Sequence, residues 1–591
     1  MKVFRIIAGH LFIVFLLASA IHLLAESGPP SVRFTDVTRP AGITFTHYTG
    51  AFGQKYLPET LGPGIAFIDY DGDGWQDLFF TNGKDWPGQR HRAATLHLYH
   101  NNHNGTFTDV TRVAGLAVEA YALGVAVGDY DNDGDDDLFV TTVGQSLLFR
   151  NTRGVFTDVT KESGLAGHDE FSTSAAWVDV DRDGSLDLVV GNYVRWTPQT
   201  NLFCTLDGTN KSYCTPESYK GASVRLWRSR GNGTFEDLTS KAGLLDDTSK
   251  TLGVAILDVN NDLWPDLVFA NDTQPNRLYV NNGKGGFTEQ GVRSGIAFSE
   301  EGIARAGMGV DAADYDRSGY PSVMITNFAN QMLAVYHNEG NGLFVDEAPR
   351  SAVGRASLLT LGFGCFFFDY DLDGWLDIFV ANGHIERDIE RIQSRIKYAE
   401  PPHVFRNSGK GAFALVTSSL GPAMQQPRVG RGAVYGDFDN DGDLDVVLTT
   451  NGGPAYLFHN EGGNRNGFLR VELKGARSNR SAIGAVVRVK SASGTQWQMV
   501  KSGSSYCSQS ELALTFGLGA AARADTVEVL WPSGTRQSFS NIPEGHLVSI
   551  EEGRPAPVLT SLRGFQKQIK RGQSAAEPKP KSAPRSLRPQ R

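Results

Sequence analysis

The chain has 591 residues, 67 of them glycine, with 40% hydrophobic residues and a formal charge of −9 from 56 basic and 65 acidic side chains. This composition excludes a multi-span membrane protein and a mostly disordered chain, and the length exceeds what one hydrophobic core serves. The charge is divided: residues 553–591 hold ten Lys/Arg against Glu577 alone, Lys2 and Arg5 lie at the other end, and the body between is left near −20, which argues against a nucleic-acid surface.

At the N-terminus, Lys2 and Arg5 precede an apolar run from Ile6 to Leu17 and the small residues Ala18, Ser19 and Ala20. That layout predicts a secretory signal peptide over residues 1–25 and a secreted, extracellular or periplasmic product with no membrane span after cleavage. The competing reading is an uncleaved anchor, because apolar residues continue through Ile21, Leu23 and Leu24. Of four cysteines, Cys204 and Cys214 lie close together in a polar segment and are expected to form one disulfide, with Cys365 and Cys507 as buried thiols.

An Asp-rich nonapeptide then recurs seven times: DYDGDGWQD, DYDNDGDDD, DVDRDGSLD, DVNNDLWPD, DYDRSGYPS, DYDLDGWLD and DFDNDGDLD. Its acidic positions one, three, five and nine are Asp69, Asp71, Asp73 and Asp77 in the first copy, Asp129, Asp131, Asp133 and Asp137 in the second, and Asp179, Asp181, Asp183 and Asp187 in the third. The fourth has Asp258, Asn260, Asp262 and Asp266, and the fifth keeps only Asp314 and Asp316. The sixth has Asp369, Asp371, Asp373 and Asp377, and the seventh Asp437, Asp439, Asp441 and Asp445. A Phe-led strand such as FTDVTRVAGL precedes each copy, and a signature such as LYHNN or LFRNT follows.

Alternating apolar residues split each unit into four short strands, so the repeat predicts an all-β, seven-bladed propeller over residues 33–462. An orphan Phe strand at Phe34 to Val37 is expected to complete the last blade and remove an exposed edge. A solenoid would not need that matching strand. Carboxylates at positions one, three, five and nine, with glycine at six and a backbone carbonyl from seven, converge hard oxygen ligands suited to Ca2+. Five loops carry the full set and the fourth is expected to be the sixth site. Ser318 and Ser322 leave the fifth with a weak ion or none. Plain Asp/Asn-Gly turn chemistry is the bland reading, but carboxylates so crowded repel without a cation.

Segments such as GIAFIDYDGDGWQDLFFTNG and DYDLDGWLDIFVANGH resemble the cartilage-acidic-protein-like family, and the units resemble the FG-GAP and VCBS repeats of integrin-alpha-type propellers. NGFLRVELKGARSNRSAIGAVVRV and the segments after it, over residues 466–552, look like the ASPIC/UnbV domain. Read from its own residues, this part is a small all-β unit with the runs FLRVEL, AVVRVK, TVEVLW and LVSIEE. Residues 553–591 read as a disordered basic tail.

In an antiparallel blade the Asp loops share one face, and the long insertions at 82–95, 191–223 and 383–403 fall on the other. That opposite face is the expected ligand surface, with Trp86, Tyr193, Trp196, Phe203 and Tyr213 as aromatic candidates; packing of the same rings against the propeller is the bland alternative. A helix is expected over Ile385 to Tyr398.

The leading function is a secreted, calcium-binding, non-catalytic recognition or adhesion protein, expected to be a monomer, whose partner is an extracellular protein or glycan. The alternative is an extracellular carbohydrate-active enzyme or a biosynthetic accessory protein of the UnbV type, with His384, Glu386 and Asp388 as its acid–base group. No HExxH, GxSxG or P-loop is present.

Overall fold

The computed structural model describes residues 32–89, 93–340 and 342–563. Residues 1–25, expected to form a signal peptide, and the residues beyond 563 lie outside the described residues. Seven four-stranded antiparallel blades follow one another, blades 2 and 3 being joined into one eight-stranded sheet where residues 169–171 pair with residues 143–145, and the first strands touch in a closed ring from blade 1 through blade 7 and back to blade 1. Blade 1 is built from Ile65–Ile68, Asp77–Phe80, His97–Asn101 and Phe107–Asp109. Blade 7 comprises Gly430–Gly436, Asp445–Thr450 and Tyr456–Glu461, and its fourth strand is the N-terminal Arg33–Asp36, paired antiparallel as Arg33 with Glu461 and Asp36 with Phe458. The ring is therefore sealed by backbone hydrogen bonds between the two ends of the repeat domain, and it is all-β, as the repeat pattern predicts.

Two side-chain devices tie neighbouring blades together. The Asn of the LYHNN-type signature is buried and donates its amide to carbonyls of two blades: Asn407 reaches Leu376 O at 3.1 Å in its own blade and Tyr315 O at 2.9 Å in the preceding one. Asn101, Asn281, Asn338 and Asn460 repeat the arrangement. A second-strand Thr supplies the other link, as where Thr81 Oγ1 donates to Leu123 O at 2.9 Å while accepting the Gly64 amide. Each satisfies polar groups that would otherwise be buried unpaired, which is why a third-strand asparagine recurs through an otherwise apolar run.

The C-terminal unit is a sandwich of two four-stranded sheets. One has the order Leu514–Gly519, Gly467–Lys474, His546–Glu551, Val558–Ser561, with the middle pair parallel; the other has Gly494–Met499, Val486–Ser491, Arg523–Leu530, Arg536–Pro543. Strand Val558–Ser561 pairs with His546–Glu551, so the sandwich runs past the expected boundary at residue 552 and takes in the start of the segment read as tail. Its core, with Leu469, Val487, Phe516, Val527 and Trp531, continues into Tyr130 and Trp177 of blades 2 and 3. The sandwich is thus seated on the propeller by hydrophobic burial as well as by the chain link.

The expected helix over Ile385 to Tyr398 is absent; only a single turn, Ile389–Ile392, forms. Ile389 and Ile396 are both drawn into one buried cluster, and the His384 amide donates to Tyr398 O at 2.9 Å. These two anchors fold the segment back on itself and leave no room for a straight rod.

Candidate functional site

The seven Asp loops share one backbone design. In every loop the first Asp accepts the amide of position five through Oδ1 at 2.9–3.1 Å and that of position six through Oδ2 at 2.8–3.0 Å. Position six requires a left-handed backbone, which glycine accepts freely. Loop 4 places Leu263 there at φ 72°, a conformation that costs an L-residue roughly 1–2 kcal/mol. Leu263→Gly should therefore raise stability by up to about 1 kcal/mol, read from the urea midpoint. An unchanged or lower midpoint would show that the leucine's packing outweighs the backbone cost.

The ninth Asp has a structural role of its own: Asp77 Oδ1 accepts the Asn101 amide at 2.6 Å and Asp377 Oδ1 the Asn407 amide at 2.7 Å, joining second and third strands. In loop 5 Ser322 substitutes in this role, accepting the Asn338 amide at 3.0 Å. In loop 4 the Asn260 side chain is spent within the loop, donating to Asp262 Oδ2 at 2.9 Å and accepting the Asp262 amide at 3.1 Å.

The third and fifth carboxylates converge on the first and ninth. Ligand-type oxygens of Asp69, Asp71 and Asp73, and of Asp129, Asp131 and Asp137, lie within 4.8 Å of one another. The donor set fits a hard cation on a specific observation: Asp131, Asp181, Asp371 and Asp439, the third-position residues of loops 2, 3, 6 and 7, each keep a buried Oδ1 with no hydrogen-bond partner among the described residues. Burial, with the neighbouring carboxylates adding to it, pushes Asp77 up to about 9, Asp137 to about 10 and Asp266 to about 8. These acidic groups could hold metal ions.

Sequence reading assigned no role to the basic residue of the third-strand signature. Arg406 Nε lies 2.7 Å from Asp371 Oδ2 and its other nitrogen 2.6 Å from Asp373 Oδ2. Arg228 does the same to Asp181, His337 to Asp316 and His459 to Asp439. These side chains take the outer oxygens and leave the inner one of the third Asp facing its loop. The signal was present in the repeat, as His or Arg immediately before the Asn in LYHNN, VYHNE, VFRNS and LFHNE and before Ser229 in LWRSR.

The segment from Ser502 to Glu511 enters the propeller's centre as a plug. It hydrogen-bonds the first strands of six blades. Gln509 pairs with Ile65 and Phe67 and with Val127, Cys507 with Val125 and Ser174, Ser502 with Trp177, Ser505 with Val310, Cys365 and Ala433, and Ser510 with Tyr435. First-strand glycines make the space: a Cβ on Gly64 would lie 1.8 Å from Cys507 O, and one on Gly432 2.5 Å from Ser508 Oγ. Tyr506 at the tip meets Phe363 edge-on at 5.0 Å. The short hydroxyl-rich run SGSSYCSQS was the one sequence sign of it, since serines can serve several backbones in a narrow space.

On the face opposite the Asp loops the structure corrects the aromatic candidates. Trp86, Tyr193 and Trp196 are buried at 6%, 1% and 5% exposure. Trp86 stacks on Tyr121 at 4.5 Å and meets Trp196 edge-on at 5.4 Å, both beneath Tyr56. The three insertions roof the end of the central channel, and these rings are the underside of the roof. Tyr213 is half-buried, donating to Glu59 Oε2 at 3.0 Å. Phe203 stays exposed at 66%, flanked by exposed Leu202 and Leu206, on a finger closed by the Cys204–Cys214 disulfide. Cys365 and Cys507 are free and buried.

The acid–base group is not assembled. His384 is buried and held near 4 by burial, its Nδ1 accepting the Glu386 amide at 3.0 Å. Glu386 pairs with Lys55 at 3.2 Å, and Asp388 is exposed beside Arg391.

A closed ring of Asp-loop blades capped by a β-sandwich defines a repeat-propeller protein with an appended C-terminal domain. Profile comparison agrees: the FG-GAP-like repeat matches residues 69–140, 129–190, 207–269, 258–325 and 394–448, half of the chain, and ASPIC and UnbV matches residues 475–557. The chain belongs to the FG-GAP-like repeat family and carries an ASPIC and UnbV domain. It is similar to cartilage acidic protein 1 of Xenopus tropicalis, 25% identical over 83% of this chain and 73% of the relative, and to that of Homo sapiens, 26% identical over 84% and 72%. Among solved structures it is similar to an Agrocybe aegerita lectin that recognises non-reducing terminal N-acetylglucosamine (19% identity, 60% of this chain and 79% of the other, TM-score 0.37). It is also similar to the BP39L lectin of Burkholderia pseudomallei (10%, 68% and 96%, TM-score 0.39). No described helix is long and apolar enough to cross a membrane.

Proposed function

We propose that this chain is a secreted, calcium-binding, non-catalytic recognition protein that engages an extracellular protein or glycan through the propeller face opposite the Asp loops. The observation that carries the reading is occupancy of the other face by the chain itself. The sandwich contacts loop 2 through Ser481 and Arg480, loop 3 through Pro532, loop 5 through Ser493, loop 6 through Asn466 and Gly519, and loop 7 through Arg470. The opposite face carries the insertions, the disulfide-braced finger with Leu202, Phe203 and Leu206, and a pit of about 170 Å³ walled by Leu57, Leu61, Tyr193 and Met308. An exposed apolar finger beside a pit is the kind of surface that supplies binding energy.

The loops' donor set supports Ca2+ as a structural ion that neutralises carboxylates and holds the blade turns; it enters no reaction step. A disulfide and the apolar N-terminal run support export. The test is capture of ligands from a glycan array and a secreted-protein panel in Ca2+. Phe203→Glu should abolish capture at unchanged melting temperature, whereas Leu559→Glu on the sandwich should not. Capture that survives Phe203→Glu, or fails only in Leu559→Glu, would overturn the assignment of the face.

A further inference from the structure

The seventh Asp loop is set apart by what covers it and by a fully buried carboxylate at position seven. Asp437, Asp443 and Asp445 have no exposure, Asp441 has 7%, and the Asp439 side chain is 16% exposed with its Oδ1 buried, whereas the Asp71 and Asp73 side chains of loop 1 are 29% and 26% exposed. Position seven, which in the general design offers a backbone carbonyl, carries a fifth carboxylate here, Asp443, as it does in loop 2 with Asp135; Asp135 is only part-buried and accepts the Arg153 amide at 2.8 Å, whereas Asp443 is fully buried. Its Oδ2 accepts the Asn464 amide at 3.1 Å, and its Oδ1 is buried without a hydrogen-bond partner among the described residues, as is Asp439 Oδ1.

The cover is the chain that leaves blade 7. Asn464 Nδ2 donates to Asp441 O at 3.1 Å. The Phe468 ring lies on Gly442, where a Cβ would come within 1.9 Å of it. Arg470 Nε stands 3.3 Å from Asp437 Oδ2, but its terminal nitrogens are committed to Glu511 at 2.7 Å. His459, 3.2 Å from Asp439, is the other basic side chain on the loop. Four carboxylates closed from water, with a fifth, Asp439, whose side chain is 16% exposed, therefore have one imidazole and a shared guanidinium as the basic side chains set against them. Two buried oxygens remain unserved, a balance that strongly disfavours the site without a cation.

We propose that loop 7 is a sealed metal site in which the Asp443 side chain is an added ligand and residues 462–470, with the sandwich behind them, are the lid. An ion there exchanges only when the lid lifts, and it fastens the C-terminal domain to the propeller. This rests on the reading of the loops as Ca2+ sites. The test loads the full chain with radiolabelled Ca2+ and follows its release into excess unlabelled Ca2+. One ion per chain should leave about tenfold or more slowly than the others. The near-isosteric Asp443→Asn and, separately, Arg470→Gln should move that ion into the fast class. Asp73→Asn in loop 1 should deplete the fast class and spare the slow ion. Release of every ion in one phase, or a slow ion that survives Asp443→Asn, would overturn the sealed site while leaving the loops as Ca2+ sites. A chain that retains no label at all would instead overturn the calcium reading itself.

Discussion

Excess chelator should lower the melting temperature of the full chain by many degrees, and the drop should widen as pH rises from about 5.5 to 8.5. Each site saturated at 100 times its dissociation constant contributes about 2.7 kcal/mol to the folded state, and several loops carry the donor set. The pH dependence follows from carboxyls that burial holds high in the metal-free fold, with Asp77 at about 9, Asp137 at about 10 and Asp266 at about 8. Such groups sit near 4 in the unfolded chain, so the folded metal-free chain binds more protons. Its stability is greatest below pH ~4 as far as these groups are concerned and is lost as pH rises through their folded values. The Ca2+-loaded protein behaves oppositely, because protons compete with the ion for the same oxygens. Differential scanning calorimetry with and without chelator across that range reads both limbs. Identical melting in chelator at pH 8.5, or a gap that does not change with pH, would contradict a metal role for the loops.

Tyr506→Ala should cost about 3–5 kcal/mol, the range for emptying a fully buried aromatic site. The ring has no exposure and sits where the plug meets Phe363, close under the roof built by the three insertions. Gly64→Ala attacks the same place from the propeller side: the added methyl would fall 1.8 Å from Cys507 O and 2.7 Å from Leu123 O, both backbone atoms with little freedom to retreat. Loss of the plug removes hydrogen bonds to six blades at once, so both variants should unfold at lower urea and bring the sandwich and propeller transitions apart. A Tyr506→Ala protein within 1 kcal/mol of the parent, still melting in one step, would show that the plug fills the channel without stabilising it.

The blade pattern was legible because its causes are local. Asp, Asn and Gly at fixed offsets impose one tight loop wherever they occur, and the orphan Phe34 strand had to pair with something, for which the incomplete last unit was the available edge. The ninth Asp was legible only as a ligand; that Asp77 and Asp377 also hold the third strand in place required the strands to be set side by side. The basic residue of the third signature was visible but mute, since His100 or Arg406 shows no relation to an Asp loop some thirty residues earlier until the hairpin between them is closed.

Sequence by itself determined the repeat, the ring closure, the candidate ligand positions and the cysteine pair, all of which depend on spacing along the chain or on matching ends. Tertiary structure alone decided which surfaces remain free. Trp86, Tyr193 and Trp196 have the composition of a binding face, yet three insertions far apart in sequence meet over the channel and bury them. Likewise Ser502 to Glu511 reads as a polar loop until its ten residues are threaded among first-strand glycines drawn from distant blades. Exposure is set by everything that packs against a residue, and for a ring closed around its own C-terminal segment most of that packing comes from hundreds of residues away.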